Sequence, residues 1–127
     1  MLQRVLQKHF NFNCKDMEKR TTKNFCPQPE LMKKAIAAAL KGVGKGQSPF
    51  GAVITCAHRV ISVAHNCVWK NTDSTAHAEI QAIRKACVKL KTIDLSGCVL
   101  YSTCEPCPMC LSACHWARIP VVVFGAR

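Results

Sequence analysis

Acidic side chains are scarce in this chain: seven stand against eighteen lysines and arginines, for a formal net charge of +11. Aromatic residues make up only 6%, and none interleaves with the basic residues as a stacking platform for single-stranded nucleic acid requires. The charge is also dispersed. Residues 1–26 carry six basic and two acidic groups, and the rest of the chain carries twelve and five. A basic surface of this kind can steer nucleic acid or can be a solvated face, and Lys33, Lys34, Lys41, Lys45, Arg84, Lys85, Lys89 and Lys91 lie on segments whose other faces are apolar. No apolar run approaches the roughly 20 residues of a membrane-spanning helix, so no membrane partner is expected. The stretch from Met1 to Phe10 lacks the apolar run of a secretory signal. A cytoplasmic, reducing location follows, with the cysteines as free thiols or ligands. Arg4, Lys8 and the lack of acid before Asp16 leave an organelle-targeting segment open. Against it stand a short amphipathic helix, a disordered basic extension, and a true start at Met17. Internal repeats and low-complexity segments are absent.

Cysteine, by contrast, is abundant, with ten in 127 residues. The informative ones follow His77-Ala78-Glu79. After twenty-six intervening residues comes Pro106-Cys107-Pro108-Met109-Cys110. Zinc that does chemistry takes three N or S protein ligands and leaves its fourth position to water, whereas structural zinc is closed by four. His77, Cys107 and Cys110 make three, and Glu79 is a carboxylate beside them. Such a zinc lowers the pKa of its water from about 15.7 toward 7, and Glu79 is then the candidate to handle the proton. We therefore expect one Zn2+ per chain, with water or hydroxide as its fourth ligand.

The spacing carries a geometric demand. Residues two apart in mid-helix point away from each other, so His77 and Glu79 can meet one ion only from a first helical turn. Asp73-Ser74-Thr75 supplies N-cap residue types just before them, and Ile80, Ile83, Cys87 and Leu90 form an apolar stripe at helical spacing. Cys107 and Cys110 share a face, and Pro108 suits the first helical position. Both sulfurs would then lie at the positive end of a helix dipole, which favours thiolate. The rival reading takes Cys104, Cys107, Cys110 and Cys114 as a C-x2-C-x2-C-x3-C iron-sulfur run. Against it, His115 stands where such a run has proline, no second run exists, and Leu111 to Ala117 reads as continuing helix. The remaining histidines, His9, His58, His65 and His115, have no partner motif.

Punctuation predicts the elements. Pro27-Gln28-Pro29-Glu30 opens a helix through Leu40, released by Gly42, Gly44 and Gly46. Apolar, β-branched runs from Gly51 to Cys56 and from Val60 to Ala64 flank Ala57-His58-Arg59 as a hairpin. A helix spans about Thr75 to Leu90, a third strand Cys98 to Ser102, and a fourth Val121 to Phe124. Strands alternating with helices indicate a three-layer α/β/α sandwich with a mostly buried mixed sheet.

From about Pro49 to Arg118 the chain resembles the guanine and guanosine deaminase branch of the cytidine deaminase-like superfamily. The resembling stretches are Pro49-Phe50-Gly51-Ala52-Val53-Ile54, Asn66, Thr75-Ala76-His77-Ala78-Glu79, and Cys104-Glu105-Pro106-Cys107-Pro108-Met109-Cys110 through Trp116-Ala117-Arg118. His-x-Glu with Pro-Cys-x-x-Cys is the known signature of zinc nucleobase deaminases. The closing Val122-Val123-Phe124-Gly125-Ala126-Arg127 is as similar to bacterial tRNA adenosine deaminases. The resemblance implies a zinc-dependent hydrolytic deaminase domain over residues 27–127, following a basic extension over 1–26, with Glu79 shuttling protons. It also implies substrate contacts from Asn66, Phe50 and Trp116, a purine base or nucleoside as substrate with guanine or guanosine first, and a homodimer. The alternatives are a tRNA adenosine deaminase, with tRNA as partner, and a zinc-binding remnant of little activity. Two departures stand out. Ser74 replaces the family's usual proline, and the family fold continues past Arg127 into another strand and helices, so a C-terminally truncated version of the fold is expected.

Overall fold

A computed structural model describes residues 25–127. The readings placed on residues 1–24, whether extension, amphipathic helix or targeting segment, lie outside the described residues. The elements run α1 (Pro29–Val43), β1 (Gly51–Cys56), β2 (Arg59–His65), α2 (Val68–Asn71), α3 (Ala78–Leu90), β3 (Cys98–Cys104), α4 (Pro108–Trp116) and β4 (Val121–Ala126). The strands form one sheet in the order β2-β1-β3-β4. β1 is antiparallel to both neighbours, and β3 and β4 are parallel. The expected mixed sheet is thus present, and alternation along each strand divides the core into two layers. Ala52, Ile54 and Cys56 of β1, with Cys98 and Leu100 of β3, pack against Ala78, Ala82 and Ala86 of α3. Val53, Val99 and Tyr101 turn the other way, onto Leu31 and Ala35 of α1. Both faces are covered, which explains why β1 is buried along its whole length and reads as a continuous apolar run.

Small residues set the packing distances. On α3 the fully buried side chains are Ala78, Glu79, Ala82 and Ala86, while Ile83, Cys87 and Leu90 are only partly buried against the same core. The expected stripe of large apolar residues is therefore the flank, and the alanines make the seam. On the opposite layer, a Cβ at Gly51 would lie 2.7 Å from the Ala39 nitrogen and closer still to the Ala35 carbonyl oxygen. α1 can approach β1 this closely only because position 51 has no side chain.

The hairpin between β1 and β2 is a two-residue turn in which Ala57 and His58 both have positive φ, 52° and 61°. Such turns favour Asn-Gly, so Ala-His carried no strong turn signal. A bulge shifts the register after Ile54, which pairs with Ser62, while Thr55 pairs with Val60. Lys91 closes α3 in the left-handed region at φ 53°, where a β-carbon costs about 1–2 kcal/mol and glycine is the usual occupant. Allowing for the entropy that glycine loses, Lys91→Gly should stabilise the fold by about 0.5–1 kcal/mol, visible as a rise of a few degrees in thermal midpoint.

β2 and β3 both run antiparallel to β1 and so share a direction. Their C-terminal ends, His65 and Cys104, and the start of β1 at Gly51 lie on one edge of the sheet. The loops leaving that edge lead to the first turns of α3 and α4. In open α/β sheets this is where ligands bind.

Candidate metal centre

His77 is the N-cap of α3 and Cys107 the N-cap of α4, both in extended backbone, with Pro108 in the first turn of α4. The expected meeting of two helix N-termini is formed. His77 Nδ1 lies 3.7 Å from Cys107 Sγ and 3.6 Å from Cys110 Sγ, and the three ligand atoms fall within 4.8 Å of one another. A tetrahedral zinc, with Zn–S near 2.3 Å and Zn–N near 2.0–2.1 Å, separates its nitrogen and sulfur ligands by about 3.6 Å. The donor set therefore fits that ion in both chemistry and spacing, with Nδ1 as the ligating nitrogen.

The start of α3 differs from expectation. The helix begins at Ala78 and not near Thr75, and Asp73 does not cap it. Instead Asp73 Oδ1 accepts hydrogen bonds from the Thr75 backbone N–H at 2.8 Å and hydroxyl at 2.7 Å. These bonds hold its carboxyl below the usual carboxylate range. His77 N donates to the Thr75 carbonyl at 2.7 Å, so residues 73–77 form a turn, and the first helical turn is left to present His77 and Glu79 together.

Glu79 is 6% exposed. Its Oε1 accepts a hydrogen bond from Ser102 Oγ at 2.8 Å, and Oε2 accepts a weaker one from the Cys110 thiol at 3.5 Å. A buried carboxylate so held has one oxygen fixed and the other turned toward the cluster. Ser102 escaped the sequence reading. The available signal was a lone hydroxyl on the inward side of an otherwise apolar strand, alternating with Cys98 and Leu100. Burial first, then the Glu79 carboxylate, pushes the Cys110 thiol upward, and the same two causes raise Cys114 to about 11. A bound cation would act against both, which is how a metal and its thiolates stabilise each other.

The four-cysteine alternative is not assembled. Cys114 is buried in the core with Ala117 and Ile119, and neither it nor Cys104 joins the His77, Cys107 and Cys110 group among the described residues.

Of the expected substrate contacts, Asn66 and Phe50 lie at the same sheet edge, joined by a bond from Asn66 N to the Phe50 carbonyl at 3.0 Å. Asn66 is 4% exposed, and its Oδ1 accepts from Val68 N at 3.0 Å. It is thus a turn residue whose amide nitrogen still has hydrogens to donate. Phe50 is 40% exposed and so is not a core aromatic. Trp116 ends α4, roughly 12 Å along the axis from the turn that carries Cys107 and Cys110, and is 85% exposed, a surface aromatic and not a core one.

With this geometry in place, the chain can be compared with known proteins. The family model for the cytidine and deoxycytidylate deaminase zinc-binding region matches residues 27–126. Among curated proteins the chain is similar to the guanine deaminase of Bacillus subtilis (strain 168), 48% identical over 98 residues that cover 76% of the chain and 63% of the relative. It is similar to the tRNA-specific adenosine deaminase of Aquifex aeolicus (strain VF5) at 46% over 96 residues, covering 76% and 64%. The X-ray structure of guanine deaminase from Bacillus subtilis superposes with a TM-score of 0.76 at 45% identity, covering 80% of the chain and 65% of that structure. The chain spans just under two thirds of the length of these curated relatives.

Proposed function

The chain belongs to the family of the cytidine and deoxycytidylate deaminase zinc-binding region, and from that membership we propose that it is a zinc-dependent hydrolytic deaminase of a purine base or nucleoside, guanine or guanosine first. The observation that carries this reading is the Glu79 carboxylate, fixed by Ser102 at 2.8 Å and set against Cys110 at 3.5 Å. His77, Cys107 and Cys110 would hold one zinc per chain, and when bound it would supply a water acidified to near neutrality.

The chain's own groups then account for the proton movements. Glu79 Oε2 accepts the proton released as water adds to the carbon bearing the amino group, and delivers it to the adjacent ring nitrogen. A second transfer through the same carboxylate protonates the amine. The carbon–nitrogen bond breaks, ammonia leaves, and a ring carbonyl remains. Ser102 keeps Glu79 in one rotamer throughout. Asn66 would donate its amide hydrogen to the base or sugar, and Phe50 would cover the ring.

A homodimer belongs to the same proposal. Leu111 and Trp116 stand exposed on α4 at 55% and 85%, on either side of exposed Ser112 and His115, and a second copy would cover them; sedimentation at the 14.0 kDa of one chain would remove that part. Thiol ligands require a reducing compartment, which supports the cytoplasm, and no described helix is long and apolar enough to cross a membrane.

The experiment is ammonia release from guanine, guanosine, cytosine, cytidine and an anticodon hairpin bearing adenosine. Guanine or guanosine should be turned over fastest. A tRNA substrate is the second reading, favoured by the +11 charge and by the near-equal identity to a tRNA adenosine deaminase. Steeply salt-sensitive conversion of the hairpin adenosine, with both guanine substrates inert, would put it first. Zinc retained with every substrate inert would leave the remnant reading.

A further inference from the structure

A cleft of about 640 Å³ lies at the outer edge of the sheet, where β2 runs between α1 and α3, and none of the metal-centre residues lines it. Five lysines converge on it: Lys34, Lys41, Lys45, Lys70 and Lys85. Three come from α1 and the turn that follows it, and Lys70 of α2 and Lys85 of α3 are brought to them by the fold. Among the described residues no acidic side chain lines the cleft. Five ammonium groups around one concavity raise its positive potential and favour an anion there. Lys85 is anchored there, its Nζ donating to the Val63 carbonyl of the edge strand at 3.1 Å.

A second observation points to a ligand at the same place. The Nε2 of Gln81, another lining residue, is buried with no hydrogen-bond partner. A buried amide donor left unpaired costs about 1–3 kcal/mol, and rotation of the partly exposed Gln81 side chain toward a ligand acceptor in the cleft would remove that cost. Between the lysines the wall is small and apolar, made by Ala38, Val63 and Ala64. The volume falls within the roughly 300–1,000 Å³ of small-molecule sites.

We infer that this cleft is a second site, separate from the metal centre, that binds a nucleoside di- or triphosphate: the lysines neutralise the phosphates, the apolar wall receives the nucleoside, and Gln81 donates to one of its acceptors. Lysine recognises phosphate as a point charge, and five of them suit several charges better than a single phosphate. Among the described residues no Phe, Tyr or Trp lines the cleft, whereas a track for single-stranded nucleic acid uses several stacking aromatics. The site does not depend on the deaminase reading.

The test uses the full, zinc-loaded chain and equilibrium titration with ATP, GTP, pyrophosphate and a ten-nucleotide single strand. One nucleoside triphosphate should bind saturably, one per chain, more tightly than pyrophosphate and than the oligonucleotide. The double variant Lys41→Ala with Lys70→Ala should weaken it at least tenfold, about 1.4 kcal/mol, and Gln81→Leu severalfold. Lys89→Ala with Lys91→Ala removes equal charge outside the cleft and should change affinity little. All four lysines are exposed, so circular dichroism should report an intact fold in both variants. Absence of saturable binding, or equal losses in the two double variants, would overturn the site. Pyrophosphate binding as tightly as the nucleotides would overturn the nucleoside part, and tighter oligonucleotide binding would replace the site with a nucleic-acid track. Because binding is read without turnover, an inactive deaminase assay leaves these outcomes independent.

Discussion

Glu79→Gln should keep one zinc per chain and lose about 100-fold to 10,000-fold in ammonia release, the usual contribution of a positioned general acid and base. The substitution is nearly isosteric. Glutamine still offers an oxygen and a nitrogen to Ser102 Oγ and Cys110 Sγ, which approach Glu79 at 2.8 and 3.5 Å, so the buried position stays filled and hydrogen-bonded. It cannot carry a proton between water and substrate. Metal content measured alongside rate separates the two roles that a carboxylate beside a metal can play. A variant that drops zinc would make Glu79 a ligand, and one with full activity would take it out of the proton path. Ser102→Ala should give a smaller loss, roughly tenfold, with zinc retained, because it frees a buried carboxylate oxygen without removing the group that transfers protons.

Why the centre was legible while its supports were not follows from what a motif encodes. His77, Cys107 and Cys110 are chemically rare donors at fixed spacings, and the requirement that His77 and Glu79 share one ion forces them onto a first helical turn whatever surrounds them. Ser102 and the alanine seam of α3 carry no such signature. They are common small residues whose roles arise only when β3 and α3 are brought face to face. The strands read well because burial on both faces leaves continuous apolar runs, as in Val53-Ile54 and Val99-Leu100-Tyr101. The hairpin read from its flanking runs is formed around Ala57 and His58, although both adopt positive φ without the residues that favour it, and the bulge after Ile54 left no sign in the sequence. Trp116 shows the limit of a resemblance read one chain at a time: the pocket role came from likeness to guanine deaminases, and the nine-residue α4 leaves it exposed at the helix's far end.

Cys110→Ala should abolish stoichiometric zinc binding and lower stability by more than the loss of a sulfur from the core would explain. Cys110 is fully buried, and its Sγ is 3.6 Å from His77 Nδ1, so the variant leaves a cavity and only two of three protein ligands. A ligand that binds the folded chain alone stabilises it by about 4.1 kcal/mol at a free concentration 1,000 times its dissociation constant, and that stabilisation disappears with the metal. The informative comparison is Cys114→Ala, one turn further along α4 and equally enclosed. It should keep its zinc and lose only about 1 kcal/mol from the cavity, since Cys114 packs in the core and stands outside the ligand group. Cys104→Ala should likewise retain zinc. Elemental analysis and thermal unfolding of the three variants decide the matter. Iron with inorganic sulfide in the parent, and loss of metal from all three variants alike, would return the chain to the four-cysteine reading, whereas loss from Cys110→Ala alone excludes Cys104 and Cys114 and leaves the His77, Cys107 and Cys110 cluster as the ligand set.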